Sequence, residues 1–151
     1  MSTNQELIRK FYTAFRQKDF LTMQSCYHNE ATFSDPVFPN LNSNQVKAMW
    51  QMLLTASKDL RIEFSEVKDT SVHWEAWYSF SRTGRQVHNI IDATFEFRDG
   101  LIYRHKDQFS FWRWSRQALG LSGILLGWTP VLANKVRAAA WKSLNKFMHD
   151  S

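Results

Sequence analysis

The sequence predicts an α+β domain, and three observations carry that reading. Helix-spaced apolar residues open the chain, a run of alternating strand-like segments follows, and the strands are joined by turns rather than helices, so the βαβ alternation of a parallel sheet is absent. The 151 residues show no shift in composition along their length. Residues 1–151 therefore read as one domain, N-terminal helices packed on a mainly antiparallel sheet, with 113–151 as a C-terminal helical extension.

In chain order, Leu7, Ile8, Phe11, Tyr12 and Phe15 fall on one helical face, and Thr3 with Glu6 forms a capping box before them. Asp19 suits the N-cap of a second, short helix carrying Phe20, Leu21, Met23, Cys26 and Tyr27, after which HNEATFSDPVFPN turns to strand-like spacing. Ser43 or Asn44 opens a third helix with Val46, Met49, Trp50, Leu53 and Leu54 along one face. Strand-like segments then occupy 60–67, 72–81, 86–97 and 101–112. Thr83-Gly84 and Asp99-Gly100 supply the positive φ that tight hairpins need, which makes these strands a meander. Thr129 as cap and Pro130 in the first turn start a terminal helix with Leu132, Val136, Ala140, Leu144 and Phe147 on one stripe and a basic back.

Composition narrows the function. Seven Trp, 4 Tyr and 12 Phe within a 44% hydrophobic chain supply a core and the lining of a cavity. The opening MSTNQELIRKF lacks a basic stretch followed by an apolar run, so it reads as the start of the mature chain rather than a secretion signal. The lone Cys26 cannot form an intramolecular disulfide, which fits a reducing cytoplasm. His28, His73 and His149 have no partners at ligand spacing, so no metal is expected, and no cofactor is expected either. The net charge of +5 is scattered among acids and no RNP-like pattern accompanies it, which speaks against nucleic acid. The segment LGLSGILLGW is too short to span a bilayer. For the tail over 119–148, a lid on the domain or a dimer contact is favoured over contact with a membrane surface.

Two strings resemble the SnoaL-like and ketosteroid isomerase-like proteins of the NTF2-like superfamily. YHNEATFSDPVFPNL, between the second and third helices, is similar to the stretch in which an acid before Pro enters the pocket. FRDGLIYRHKDQFSFWRWSRQALG is similar to the ending in which a hairpin Gly is followed by a strand bearing an acid. The likeness spans about residues 5–120. It implies a strongly curved sheet closed into a cone around a pocket for a small, largely apolar organic molecule, and pairing into a homodimer. It also implies that Asp35 stands at the isomerases' proton-shuttling base and that Asp107 matches the acid of the last strand. The tyrosine that polarises a steroid carbonyl falls on Phe11, with Tyr12 about 100° further round the helix. The isomerases' second acid falls on Asp92 by one count and on Ala93 by another.

Strand parity adds a reading of its own. In YRHKDQFSFW, Tyr103, His105, Asp107, Phe109 and Phe111 share one face, so His105 and Asp107, about 7 Å apart along the strand, can line one cavity. A His beside a carboxylate is a usable acid/base near neutral pH. On 86–97, Val87, Asn89, Ile91 and Ala93 oppose His88 and Asp92, and Asn89 is the better lining candidate if the apolar face is the inner one. Trp50, Trp74 and Tyr78 are candidates for lining or for core. The bland readings stand beside these: Asp35 as a turn-capping Asx residue, and His105–Asp107 as a mutually satisfied pair at a sheet end. The functions compatible with all this are a cofactor-independent isomerase, cyclase or hydrolase using Asp35, His105 and Asp107, or a non-catalytic binder of a small apolar ligand.

Overall fold

Ser2, not Thr3, caps the first helix of the computed structural model: its side chain accepts the Gln5 N–H at 3.1 Å and so satisfies one of the open donors of α1 (Thr3–Arg16). The structure describes residues 2–150; Met1 and Ser151, the two ends of the expected 1–151 domain, lie outside the described residues. Asp19 caps α2 (Phe20–Ser25) as expected, accepting the Thr22 N–H at 3.1 Å. Tyr27, grouped with that helix by its spacing, instead begins β1 (Tyr27–Ser34). A short β2 (Leu41–Asn42) leads into α3 (Ser43–Ala56), whose cap is Asn42, one residue earlier than expected. Asn42 and Gln45 exchange side-chain to backbone bonds in a capping box.

The meander is β3 (Arg61–Ser65), β4 (Ser71–Ser79), β5 (Gln86–Arg98) and β6 (Leu101–Gln108). The six strands form one sheet in the order β2-β1-β6-β5-β4-β3, antiparallel throughout except that β1 runs parallel to β6. Asp99 and Gly100, with φ of 54° and 73°, close the β5–β6 hairpin as a two-residue turn of the primed kind. Just after it the register shifts, with Phe97 opposite Ile102 and Glu96 opposite Arg104, so Tyr103 is the extra residue of a bulge. The bulge resets the side-chain parity. Ile102 and His105 are both buried, while Tyr103, expected on the inner face, lies half-buried under the Arg98 guanidinium.

The last strand ends at Gln108, short of the expected 112. Ser110 accepts the Arg113 N–H and caps α4 (Phe111–Leu119), which opens the helical extension two residues before the expected 113 and buries Trp114, Ser115 and Ala118. Next come α5 (Leu121–Leu126) and α6 (Pro130–Asp150), with Thr129 accepting the Leu132 N–H. The expected stripe of α6 buries only Leu144 fully, with Ala140, Trp141 and Met148 partly covered against the main core. That core lies between the concave face of the sheet and α1 and α3, and α4 adds a smaller cluster with Val87, Trp114 and Ala118. Among the described residues, no helix is long and apolar enough to cross a membrane.

Candidate functional site

His105 sits at the centre of the concave face. In register it lies between Phe33 of β1 and Phe95 of β5, and its ring meets theirs at centroid distances of 4.9 and 4.5 Å. Phe11 of α1 and Trp50 of α3 cover it from the helical layer. A polar ring in such surroundings must find partners. Its Nδ1 lies 2.8 Å from the Tyr27 hydroxyl and its Nε2 lies 2.9 Å from Asp107 Oδ1. Trp50 Nε1 donates to the Tyr27 oxygen at 2.9 Å, and Trp74 Nε1 donates to Asp107 Oδ1 at 3.4 Å. An indole only donates and a carboxylate only accepts, which fixes the two ends of the chain, and a singly protonated ring between them sets its direction. Trp50 donates to Tyr27, Tyr27 donates to His105 Nδ1, and the proton on Nε2 is given to Asp107. With Nε2 donating to the carboxylate, an imidazole that carries one ring proton holds it on Nε2 and is fixed from both sides.

Both aromatic residues at the middle of α1 face inward. The 100° step from Phe11 to Tyr12 does not carry Tyr12 to solvent, because Phe64, Trp74 and Phe95 of the sheet cover that side of the helix. Tyr12 is fully buried, and among the described residues its hydroxyl has no hydrogen-bond partner. Burial raises its pKa well above that of an ordinary phenol, and the negative charge of Asp107 adds to the effect. A buried hydroxyl left unpaired costs about 1–3 kcal/mol, so this group stands ready for an acceptor.

Asp35 lies at the end of β1, in the turn before β2. Its Oδ1 accepts the N–H groups of Val37 and Phe38 at 2.7 and 2.6 Å, the Asx-turn arrangement. Even so, burial pushes its pKa up to about 7; the Phe38 N–H opposes this, the charge of Asp107 adds to it, and Val37 and Arg137 pull it down. The turn is clamped from α6, where Arg137 Nε donates to the Pro36 carbonyl at 2.9 Å and Trp141 meets Phe38. Tyr78 of β4, pushed up to about 12 by burial, receives the Trp114 indole N–H at 2.7 Å and feels the charge of Asp35. Asp35, Asp107, Tyr12 and Tyr78 thus act electrostatically on one region, which α4 and α6 close from outside.

The remaining expected residues divide. Asn89 is buried on the inner face of β5, as the apolar parity required. Asp92 is a correction: it lies exposed on the outer face and bonds His73 Nδ1 at 2.9 Å, because it alternates with Ile91 and Ala93, which point into the core. Trp50, Trp74 and Phe11 are buried in a close-packed aromatic interior, and Phe109 is half-buried between the two clusters. A groove of about 390 Å³ is lined by Thr32, Ser34, Thr94, Glu96, Arg104 and Lys106, among others. It lies over the polar outer side of β1, β6 and β5. Tyr27 and Trp114 were missed in the sequence, although Tyr27 starts the alternation that buries Ala31 and Phe33.

The family model of the SnoaL-like domain matches residues 8–105. Solved structures are similar across most of the chain. IdmH, a candidate polyketide cyclase from Streptomyces antibioticus, superposes with a TM-score of 0.64 at 18% identity, covering 78% of this chain and 99% of its own. An LEH-like epoxide hydrolase of M. tuberculosis gives 0.59 at 14%, covering 82% and 96%. An NTF2-like protein of unknown function from Burkholderia pseudomallei gives 0.63 at 16%, covering 78% and 98%. At these identities the likeness is one of fold. No curated protein matches the sequence.

Proposed function

Because the chain belongs to the SnoaL-like family, within the NTF2-like superfamily, we propose that it is a cofactor-independent enzyme that moves a proton on a small, largely apolar molecule inside the cone. Asp107 and Asp35 are its proton carriers, and His105 holds Asp107. The observation that supports this is that the charge of buried Asp107 acts both on the Asp35 carboxyl and on the unpartnered Tyr12 hydroxyl. A carboxyl group whose pKa is pushed up to about 7 can take and return a proton at neutral pH. The Tyr12 hydroxyl, about 100° along the helix from the position the family likeness favours, would donate to a carbonyl, epoxide or developing enolate oxygen. The Asp107–His105–Tyr27–Trp50 chain keeps Asp107 oriented. Among the named neighbours, polyketide cyclase and epoxide hydrolase chemistries suit such a site.

The test is deuterium incorporation from heavy water into a panel of cyclic ketones, together with epoxide opening, followed by NMR. Turnover that falls about 10²–10⁴-fold in both Asp107→Asn and Asp35→Asn supports the reading. A second reading, a non-catalytic binder, draws on the close-packed interior and on the two turn amides that already hold Asp35. Native mass spectrometry of protein taken directly from cells that shows a bound ligand, with no turnover on the panel, would favour it. The proposal includes a cytoplasmic homodimer paired through the outer sheet face, where Arg61 lies over Trp77 and Trp77 stacks on His88. Light scattering giving a 17.9 kDa monomer would remove the dimer.

A further inference from the structure

Helix α5 is built inside out for a surface in water. It buries Gly123 and exposes its large residues: Leu121, Ile124, Leu125, Leu126, and after them Trp128 and Val131, are between 50% and 74% exposed. The helix is closely seated. A Cβ at Gly123 would meet the Ser115 carbonyl, and one at Gly127 would meet the Ser115 hydroxyl and the Gly123 carbonyl, so the two glycines lock α5 and its end against α4 with the apolar side outward. Six large apolar side chains this exposed within eleven residues of chain make the kind of surface that marks an interaction site rather than ordinary scattered exposure.

Charge identifies what covers it. Residues 108–149 hold Arg113, Arg116, Lys135, Arg137, Lys142 and Lys146 and not one Asp or Glu, so all 14 acidic residues lie elsewhere. Cations border the patch directly. Arg116 lies over the half-exposed Trp112, the Arg85 guanidinium sits against Gly120 where α4 meets α5, and Lys135 is one turn beyond Val131. A second copy of the chain meeting the patch symmetrically would bring these cations together without an anion to offset them. An anionic lipid surface takes both parts, the headgroups pairing with the cations while Trp128 and the leucines enter the acyl boundary. We propose that the α5 patch docks the protein on membranes containing anionic phospholipid.

The experiment is flotation of the full chain with phosphatidylglycerol/phosphatidylcholine vesicles, with pure phosphatidylcholine as control. The expected result is co-flotation that weakens about tenfold or more on pure phosphatidylcholine and in high salt. It should weaken comparably in Leu125→Ser/Trp128→Ser, whose thermal unfolding stays at the wild-type temperature because both side chains are exposed. Failure to float with the anionic vesicles overturns the proposal. So does flotation unchanged by the double substitution. A dimer that the same substitutions split into monomers, without vesicle binding, assigns the patch to a second copy and also overturns it.

Discussion

His105 and Asp107, two residues apart on β6, are joined from Nε2 to Oδ1 at 2.9 Å with both side chains almost wholly buried. The separation along the strand allowed this contact, and the aromatic walls around it make it obligatory. Asp107→Ala would leave the His105 Nε2–H and the Trp74 N–H without an acceptor in a buried interior, and is expected to cost about 1–3 kcal/mol for each in urea unfolding. Asp107→Asn keeps an oxygen in place and costs less. An alanine variant within about 1 kcal/mol of wild type would mean that the pair is not closed in solution.

The direction of the proton chain gives a second expectation. Ring-nitrogen NMR should find His105 in its Nε2–H form, with Nδ1 accepting from Tyr27, and Tyr27→Phe should release that preference. A ring carrying its proton on Nδ1 would reverse the chain and remove the oriented acceptor role of Asp107.

Tyr12→Phe removes a buried hydroxyl with no partner, so the variant should be as stable as wild type or about 1 kcal/mol more stable by thermal unfolding. Ligand binding or turnover should nevertheless fall if that hydroxyl meets the ligand. A loss of stability of 1 kcal/mol or more would show that the hydroxyl is bonded after all.

Much of this arrangement was legible in the sequence, because period-2 alternation reports faces directly. Asn89 inward and His105 with Asp107 on the inner side followed from it. The same rule misplaced Tyr103, since a bulge shifts parity without leaving a composition signal. The first two residues of the helix at Phe111–Leu119 read as strand because Phe109 and Phe111 continue the alternation, although Ser110 is a good cap. The aromatic network around His105 was beyond reach. Which of Trp50, Trp74 and Tyr27 would meet its ring or its partner depends on packing between α3, β1, β4 and β6, elements far apart in the chain.

Gly123→Ala tests the seat of α5. The added methyl would run into the Ser115 carbonyl and the Arg116 amide, backbone groups that cannot swing away, so the helix must lift from α4. Overpacking of this kind costs about 1–3 kcal/mol. Hydrogen exchange should show faster opening over 111–127, with β5 and β6 protected as before.

The pH dependence of stability isolates Asp35. Its carboxyl has a pKa of about 7 in the folded chain against 3.8 for an ordinary Asp, so the folded state holds the proton more tightly than the unfolded one. The contribution to stability is therefore fully present below about pH 4 and is lost as the pH rises towards and through about 7, by an amount on the order of 4 kcal/mol. Asn cannot ionise, and its oxygen can still accept the Val37 and Phe38 N–H groups, so Asp35→Asn should escape this loss. Urea unfolding of both proteins from pH 4 to 8 should show the variant gaining on wild type by about 2–4 kcal/mol across that range. A difference that stays flat would mean that the two turn amides and Arg137 outweigh burial and keep Asp35 an ordinary ionised acid, and it would then have to be withdrawn as a proton carrier near neutral pH.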